Sequence, residues 1–206
     1  MNLASADRVN LCSKRIFDVI VSVLLLIVLM PLLLLIVVTI KLASKGPAIF
    51  RQERFGQDEQ VFILYKFRTM CLNAEDLLPE LQLQNESQGP VFKIQHDPRI
   101  IPFIGTLLRK TNLDELPQLF NVLRGDMSLV GPRPHEAFVV EKYMDWQKRR
   151  LYVKPGMTCE WQIQPKRNGI SFDEWMQMDL AYIDQWSLWL DLKILMSTAL
   201  LMFRRK

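Results

Sequence analysis

The feature that most constrains this chain is an uncharged apolar run from Val19 to Ile40. As an α-helix this run would extend roughly 33 Å, which is enough to cross a bilayer hydrocarbon core of about 30 Å. A cleaved signal peptide would have a shorter apolar region followed by a small-residue cleavage site. Here Lys41 to Gly46 lead directly into the remainder of the chain, so we expect a membrane-anchoring helix within residues 1–45.

Two courses through the membrane fit this helix equally well. Both flanks of the apolar run are basic, so the positive-inside rule is satisfied at both ends only if both ends stay on the cytoplasmic side. Pro31, near the middle of the run, removes one backbone hydrogen bond and bends a helix. A re-entrant helix that kinks at Pro31 and returns accounts for both facts, and a single-pass helix with a tolerated proline is the alternative. The basic flanking residues are Arg8, Lys14 and Arg15 before the run, and Lys41, Lys45, Arg51 and Arg54 after it.

The remaining residues, 46–206, have the composition of one globular domain. Half of the whole chain is apolar and 23% is charged, which excludes intrinsic disorder. The net charge of +4 suits anionic lipid or phosphorylated substrates, and because there is no dense basic run we expect no nucleic-acid partner. The cysteines (Cys12, Cys71 and Cys159) are isolated, so we expect a reducing compartment without disulfides. The spacing of Cys and His predicts no zinc site.

The pattern of the globular part predicts an α+β fold that is mostly α. The β-prone run Val61–Tyr65 predicts one strand of a short hairpin with its turn at Phe55–Asp58. The last segment, residues 186–203, carries two tryptophans and few charges, which is as typical of an interfacial helix as of a core helix. Further helices are predicted at about 73–84 (interrupted by Pro79), 102–110, 114–123, 135–150 and 172–186, with an extended segment at 153–164.

The segment TNLDELPQ, from Thr111 to Gln118, is the strongest candidate for chemistry. Pro117 is tolerated only in the first turn of a helix, so the helix is predicted to begin near Asp114, with Asp114 as its N-cap. The free N–H groups and the dipole of a helix N-terminus favour an ionised carboxylate at this position. The same pattern is typical of a simple stabilising cap, which is the more common use of such a residue.

Basic residues elsewhere in the chain would turn the carboxylate pair Asp114 and Glu115 into a phosphate site if they converged on it. Arginine forks bind phosphate oxygens in pairs, and Mg²⁺ prefers one or two carboxylates together with substrate phosphates and water. Each arginine taken alone is equally typical of a surface ion pair. The candidate charged residues are Arg109, Arg133, Lys66, Arg68, Asp97 and Arg99.

Several sequence blocks, in order, resemble the bacterial sugar transferase family of monotopic polyprenyl-phosphate phosphoglycosyl transferases. The resemblance runs from about residue 13 to residue 198. The blocks are KRIFD (14–18), GPAIFRQ (46–52), YKFRTM (65–70), DPRI (97–100), LRK and LDELPQ (108–110 and 113–118), GDMSLVGPRP (125–134), PGMT (155–158) and WSLWLDLKIL (186–195).

This resemblance implies a specific reaction. Sugar-1-phosphate passes from a UDP-sugar to undecaprenyl phosphate and UMP is released, as the first membrane step of exopolysaccharide, O-antigen, capsule or glycoconjugate synthesis. Asp114 attacks the β-phosphorus to form a covalent phosphosugar-aspartate, with Glu115 as its catalytic partner and Mg²⁺ bound at Asp114. The positions that the resemblance assigns to phosphate or substrate contacts are Arg109, Arg133, Lys66, Arg68, Asp97 and Arg99.

The resemblance also implies a location and a topology. Such enzymes lie at the cytoplasmic face of the bacterial inner membrane, in contact with its lipid, and their topology favours the kinked course at Pro31. The chain is therefore predicted to combine an N-terminal re-entrant membrane helix hairpin (1–45) with a cytoplasmic catalytic domain (46–206) that has interfacial amphipathic helices. A homodimer is left open. The sequence departs from the family pattern at Met30, where a small residue is usual, and within residues 159–167.

An interpretation from another functional class competes with the enzyme. In a membrane-anchored interaction protein, Asp114 would be only a helix cap and the arginines would bind anionic lipid. Release of a nucleotide from UDP-sugars distinguishes the two classes, because the enzyme cleaves the diphosphate and an interaction protein does not.

Overall fold

The computed structural model describes residues 5–86, 94, 96–165 and 169–204. The apolar run lies within one continuous helix, α1 (Ser5–Ala43), with Pro31 in its interior. Among the described residues this is the one helix long and apolar enough to cross a membrane, over Leu11–Ala43, and 22% of its most apolar window is buried. Most of its apolar side chains therefore lie on the surface of the protein.

The predicted β-hairpin is confirmed. β1 (Ile49–Phe55) and β2 (Val61–Phe67) pair antiparallel along their whole length, and a short 3₁₀ turn at Gln57–Glu59 joins them. Side chains alternate between the two faces of a strand, so Lys66 of β2 lies on the same face as the buried Leu64. This places a lysine at the edge of the core.

The rest of the described chain is mainly short helices around one small parallel strand pair. β3 (Ser128–Val130) pairs with β4 (Gly156–Thr158). The remaining α-helices are α2 (Leu78–Leu81), α3 (Ile104–Thr111), α4 (Gln118–Arg124), α5 (Ala137–Val140), α6 (Asp145–Lys148), α7 (Phe172–Asp184) and α8 (Leu188–Arg204). Short 3₁₀ turns lie at Gln82–Gln84, Leu113–Glu115, Arg149–Tyr152 and Trp161–Ile163.

Two of the sequence-based segments are wrong in their continuity. The predicted helix 135–150 is two short helices, α5 and α6, followed by a 3₁₀ turn. The predicted extended segment 153–164 contains β4 but then turns into a 3₁₀ helix at Trp161–Ile163. Within the departing segment 159–167, residues 166 and 167 lie outside the described residues.

One hydrophobic core joins α1 to the globular part. Leu119 and Val122 of α4 are completely buried and belong to the same cluster as Ile40 of α1, Leu64 of β2 and Ile194 of α8. Burying a side chain of this size contributes about 1.5–3 kcal/mol. α1 is therefore part of the fold rather than an appendage to it.

Polar contacts bind both ends of α1 to the globular part. Near its start, Arg15 donates hydrogen bonds to the carbonyl oxygens of Val122 and Leu123 (2.8 Å to the latter) at the end of α4. Beyond its end, Arg68 donates to the carbonyl oxygens of Lys45 (2.6 Å) and Ser44 (2.9 Å). The last carbonyls of a helix and of the turn that follows it lack partners within the helix, so arginines are suitable donors for them.

We expect the substitution Arg68→Met to lower the free energy of unfolding by about 2 kcal/mol, because two carbonyl groups lose a charged donor. In a protein of this size the melting temperature should fall by roughly 5 °C. The matched control is Arg51→Met, since Arg51 is an exposed arginine on the same hairpin. Equal melting temperatures for the two variants, measured in detergent, would contradict this role of Arg68.

The fold class is confirmed as α+β with mostly helical content. The re-entrant course of α1 and the division at residues 45 and 46 stay predictions. α8 buries Ile194 in the core while Trp189 (65% exposed) and Met196 (63% exposed) lie on its outer surface. α8 therefore has a core face and an exposed apolar surface, and an interfacial position for it stays a prediction.

Candidate active site

The carboxylate pair lies in a tight turn between α3 and α4. Asn112 adopts a left-handed conformation (φ 55°) that ends α3, and Leu113–Glu115 form a 3₁₀ turn. α4 begins only at Gln118. Pro117 has no backbone N–H, so it cannot donate the helical hydrogen bond that would extend α4 into the preceding turn. The prediction that Asp114 is the N-cap of this helix is therefore wrong: Asp114 lies in a separate turn before it.

Glu115 is held by two cations. Arg133 donates through both terminal nitrogens to the Glu115 carboxylate, and Lys66 Nζ lies 3.3 Å from Glu115 Oε1. Burial raises the pKa of Glu115, but the charges of Arg133 and Lys66 and their hydrogen bonds outweigh it and hold the pKa at about 2. Glu115 is thus an ionised group whose oxygens are already occupied, and it fixes two cations in place.

Asp114 is in a different electrostatic state from its neighbour. No described residue donates a hydrogen bond to its carboxylate. Burial, followed by the negative charge of Glu115, raises the pKa of Asp114 to about 6, while Lys66, Arg109 and Arg133 act in the opposite direction. Asp114 is therefore a carboxylate with free oxygens beside a group of cations, which suits a nucleophile or a metal ligand.

The structure brings only some of the predicted residues together. Lys66 and Arg133 contact Glu115 directly. Arg109 is exposed in the last turn of α3, and its positive charge lowers the pKa of both Asp114 and Asp97. It lies within electrostatic reach of the carboxylate pair without contacting it.

The other predicted residues lie elsewhere. Arg68 is bound to the carbonyl groups that follow α1, so its placement gives no support to a phosphate contact. Asp97 and Arg99 bind each other, at 2.6 Å between Arg99 Nη2 and Asp97 Oδ2, and Arg99 also donates to the carbonyl oxygen of Ala74. This pair is a buried ion pair that stabilises its own loop.

Sequence reasoning missed a second charged pair beside the carboxylates. Arg54 of β1 donates to Glu136 at 2.8 Å, and Gln52 donates to the same oxygen at 2.9 Å. The charges of Arg133 and Glu115 both affect the pKa of Arg54, which burial lowers. The available signal was the period of two along β1, which puts Gln52 and Arg54 on one face of the hairpin.

Two glycines allow the loop that carries Arg133 to lie against β4. A Cβ on Gly156 would lie 2.1 Å from the backbone nitrogen of Gly131, which no side chain can tolerate. The close approach permits two backbone hydrogen bonds, from Gly131 to Thr158 (3.1 Å) and from Gly156 to Pro132 (2.8 Å). The backbone just before Arg133 is therefore fixed.

The site has one carboxylate suited to a divalent cation. Among the described residues no group of three or more His, Cys, Asp and Glu side chains could hold a metal. Mg²⁺ does not need such a group, because one carboxylate, substrate phosphates and water complete its octahedral shell. The free oxygens of Asp114 fit that mode, whereas those of Glu115 are occupied by Arg133 and Lys66.

Fold and site together define a class: a globular domain built onto a long apolar helix, with a carboxylate pair and a cation cluster suited to phosphate chemistry. The chain belongs to the bacterial sugar transferase family, which it matches over residues 9–205.

Relatives with named activities support the same family. The galactosyl transferase CpsE of Streptococcus agalactiae is 44% identical, over 92% of this chain and 42% of that protein. The undecaprenyl-phosphate galactose phosphotransferase of Salmonella typhimurium is 42% identical, over 93% of this chain and 40% of that protein. The UDP-glucose:undecaprenyl-phosphate glucose-1-phosphate transferase of Klebsiella pneumoniae is 41% identical, over 92% of this chain and 40% of that protein. The chain thus spans about two fifths of the length of these relatives.

Proposed function

We propose that this protein transfers sugar-1-phosphate from a UDP-sugar to undecaprenyl phosphate and releases UMP. The observation that carries the proposal is the contrast within the carboxylate pair. Glu115 is bound by Arg133 and Lys66, while no residue in the described part of the chain donates a hydrogen bond to the neighbouring carboxylate of Asp114. One carboxylate organises the cations that a diphosphate needs, and the other is available to attack phosphorus.

In the first half of the reaction, an oxygen of Asp114 attacks the β-phosphorus of the donor. The bond from that phosphorus to the bridging oxygen breaks, and UMP leaves with the electron pair. The negative charge that grows on the leaving phosphate faces the cations Lys66, Arg109 and Arg133, which reduce the barrier by electrostatic stabilisation. The result is a covalent phosphosugar-aspartate.

In the second half, an oxygen of undecaprenyl phosphate attacks the same phosphorus. The bond to Asp114 breaks, the carboxylate is regenerated, and the lipid diphosphate sugar is released. The acceptor is a long polyprenyl lipid, so the site has to lie at a membrane surface. The exposed apolar length of α1, which shares a core with the site's own scaffold, supports that location.

Mg²⁺ bound at Asp114 would neutralise phosphate charge and help to orient the donor. Asp114 is the ligand that this chain offers, and the remaining ligands would be phosphate oxygens and water. The cation cluster around Glu115 acts beside the metal rather than through it.

We further propose that α1 is re-entrant and that both of its ends lie at the cytoplasmic face of the bacterial inner membrane. Arg15 near one end and Ser44 beyond the other both contact the globular part. A straight spanning helix would separate its two ends by the thickness of the bilayer, about 30 Å. Pro31 provides the position for a bend.

The function is tested by measuring UMP release from a panel of UDP-sugars with purified protein, Mg²⁺ and undecaprenyl phosphate. We expect release with at least one sugar, dependent on the acceptor for more than one turnover. A folded protein that releases no UMP with any sugar would favour the interaction protein instead.

The topology is tested with single cysteines at position 5 (Ser5→Cys) and position 45 (Lys45→Cys) in a background without native cysteines. A membrane-impermeant thiol reagent should label both from the same face of sealed vesicles. Labelling from opposite faces would overturn the re-entrant course and would leave the proposed chemistry untouched.

The raised pKa of Asp114 predicts the pH dependence of the donor half-reaction. Only the ionised carboxylate attacks, so kcat/KM for the donor should fall below about pH 6, approaching tenfold per pH unit. Glu115→Gln removes a like charge and frees two cations, and both changes lower the pKa of Asp114. The acid limb of the profile should therefore move to lower pH in that variant; an unmoved limb would assign it to another group.

A further inference from the structure

Arg150 is a buried arginine that the proposed chemistry does not use. It lies in the 3₁₀ turn after α6 and is 3% exposed. Its Nη2 donates to the carbonyl oxygen of Arg133 at 2.6 Å and to Asp179 Oδ2 of α7 at 2.5 Å. A buried ion pair requires good geometry, because a buried charge without its partner strongly destabilises the fold.

The other terminal nitrogen of Arg150 joins a second pair of buried groups. Nη1 donates to the hydroxyl of Tyr143 and lies 3.0 Å from Nδ1 of His135. Because an arginine can only donate, His135 Nδ1 is an acceptor, and the Tyr143 hydroxyl can donate to it across 2.7 Å. Burial, followed by the charge of Arg150, holds the pKa of His135 well below its usual range, so this histidine is neutral.

These contacts converge on the backbone of the loop that carries Arg133. On one side, β4 fixes Gly131 and Pro132 by backbone hydrogen bonds. On the other side, Arg150 fixes the Arg133 carbonyl itself. The Arg133 side chain then reaches the Glu115 carboxylate. The chain of contacts from α7 to the carboxylate pair is continuous: Asp179, Arg150, Arg133, Glu115.

We propose that Arg150, oriented by Asp179, is a positioning residue that sets the backbone of Arg133 and thereby the cation cluster at the carboxylate pair. This inference rests on the proposed function, because the group it positions is the one assigned to the donor phosphates. Arg150 itself is separated from those phosphates by Arg133.

The first test compares Arg150→Lys with Arg149→Lys. Lysine keeps the charge at 150 but cannot bind all four partners in the planar geometry of a guanidinium. Small misplacement of a catalytic group lowers rate strongly, so we expect kcat/KM for the donor to fall by about 10- to 100-fold in Arg150→Lys. Arg149 pairs with Asp184 at the surface, and its variant should stay within about twofold of the wild type.

A double-mutant cycle separates positioning from general stability. If Arg150 acts through Arg133, the variant Arg133→Met/Arg150→Lys should be no less active, within about threefold, than Arg133→Met alone. A residue that only stabilises the fold lowers the fraction of folded protein in both backgrounds, so the losses in total activity multiply while the activity per folded molecule does not change. Multiplicative losses would overturn the proposal.

Amide hydrogen exchange gives a readout that does not depend on activity. Peptides covering residues 128–137 should exchange at least about tenfold faster in Arg150→Lys than in Arg149→Lys, since the loop loses one anchor. If Arg150→Lys does not fold, Asp179→Asn makes the same test from the other end of the ion pair. If exchange is faster in Arg150→Lys but the wild-type protein releases no UMP, the positioning role is kept and the proposed reaction is rejected. If exchange is unchanged in Arg150→Lys, the positioning role is rejected.

Discussion

Asp114→Asn is expected to reduce UMP release by at least about 10³-fold, because an amide cannot take the place of the carboxylate as a nucleophile. The fold should be kept, since no described residue donates a hydrogen bond to the Asp114 carboxylate. The raised pKa gives the sign of the effect on stability. The Asp114 carboxylate is harder to ionise in the folded state than in the unfolded state. It therefore lowers the free energy of unfolding of the protein as the pH rises from the ordinary pKa of 3.8 through about 6. At pH 7.5 the neutral asparagine should therefore melt at the same temperature as the wild type or above it.

The matched control for this substitution is Asp145→Asn. Asp145 is an exposed aspartate at the start of α6 whose partner is the surface lysine Lys148. It should keep full activity, so a loss seen only at position 114 belongs to the site. An Asp114→Asn protein with wild-type turnover would remove Asp114 from the mechanism, whatever the behaviour of the control.

Arg133→Met should have the second largest effect, a fall of about 10²- to 10³-fold in kcat/KM for the donor. The substitution removes the cation that binds both oxygens of Glu115 and faces the donor phosphates in the proposed reaction. It also leaves Glu115 with Lys66 as its remaining cationic partner among the described residues, which should destabilise the fold. Steady-state kinetics and thermal melting measure the two effects separately.

The double variant Arg133→Met/Glu115→Gln distinguishes them. Replacing the buried carboxylate by a neutral amide removes the poorly compensated charge, so the melting temperature should recover. Activity should not recover, because the phosphate contact is still missing. Recovery of both would mean that Arg133 serves only to neutralise Glu115.

The sequence predicted the parts of this fold whose signal is local. The β-hairpin, α3 and α7 follow from strand propensity, turn residues and helical periodicity within their own segments. The prediction of a single helix at 135–150 was wrong. The basic composition of this segment is typical of one continuous helix, whereas the chain there bends and brings Tyr143 and Arg150 inward. Such bends are set by tertiary packing, which a local pattern does not contain.

The candidate site shows the same division. The carboxylate pair was identifiable from TNLDELPQ, but its position in a separate turn depends on the left-handed Asn112, which the octapeptide pattern does not reveal. Arg68 and Arg133 look alike in sequence, since each lies in a short motif with proline or aromatic neighbours, yet Arg68 binds the carbonyl groups that follow α1 and Arg133 binds Glu115. Convergence of distant charges is a property of the folded chain, so position along the sequence could not separate them.

The way in which α1 enters the core has a consequence for any truncation that removes this helix. Leu26, Leu33 and Ile36 of α1 are buried in the cluster that also supports α4, and Arg15 binds the carboxyl end of α4. Removing α1 would leave part of the hydrophobic core unfilled. It would also weaken the packing beneath the turn that carries the carboxylate pair. Deletion of α1 is thus expected to give a collapsed or aggregated chain, and a stable derivative without this helix would need a redesigned core.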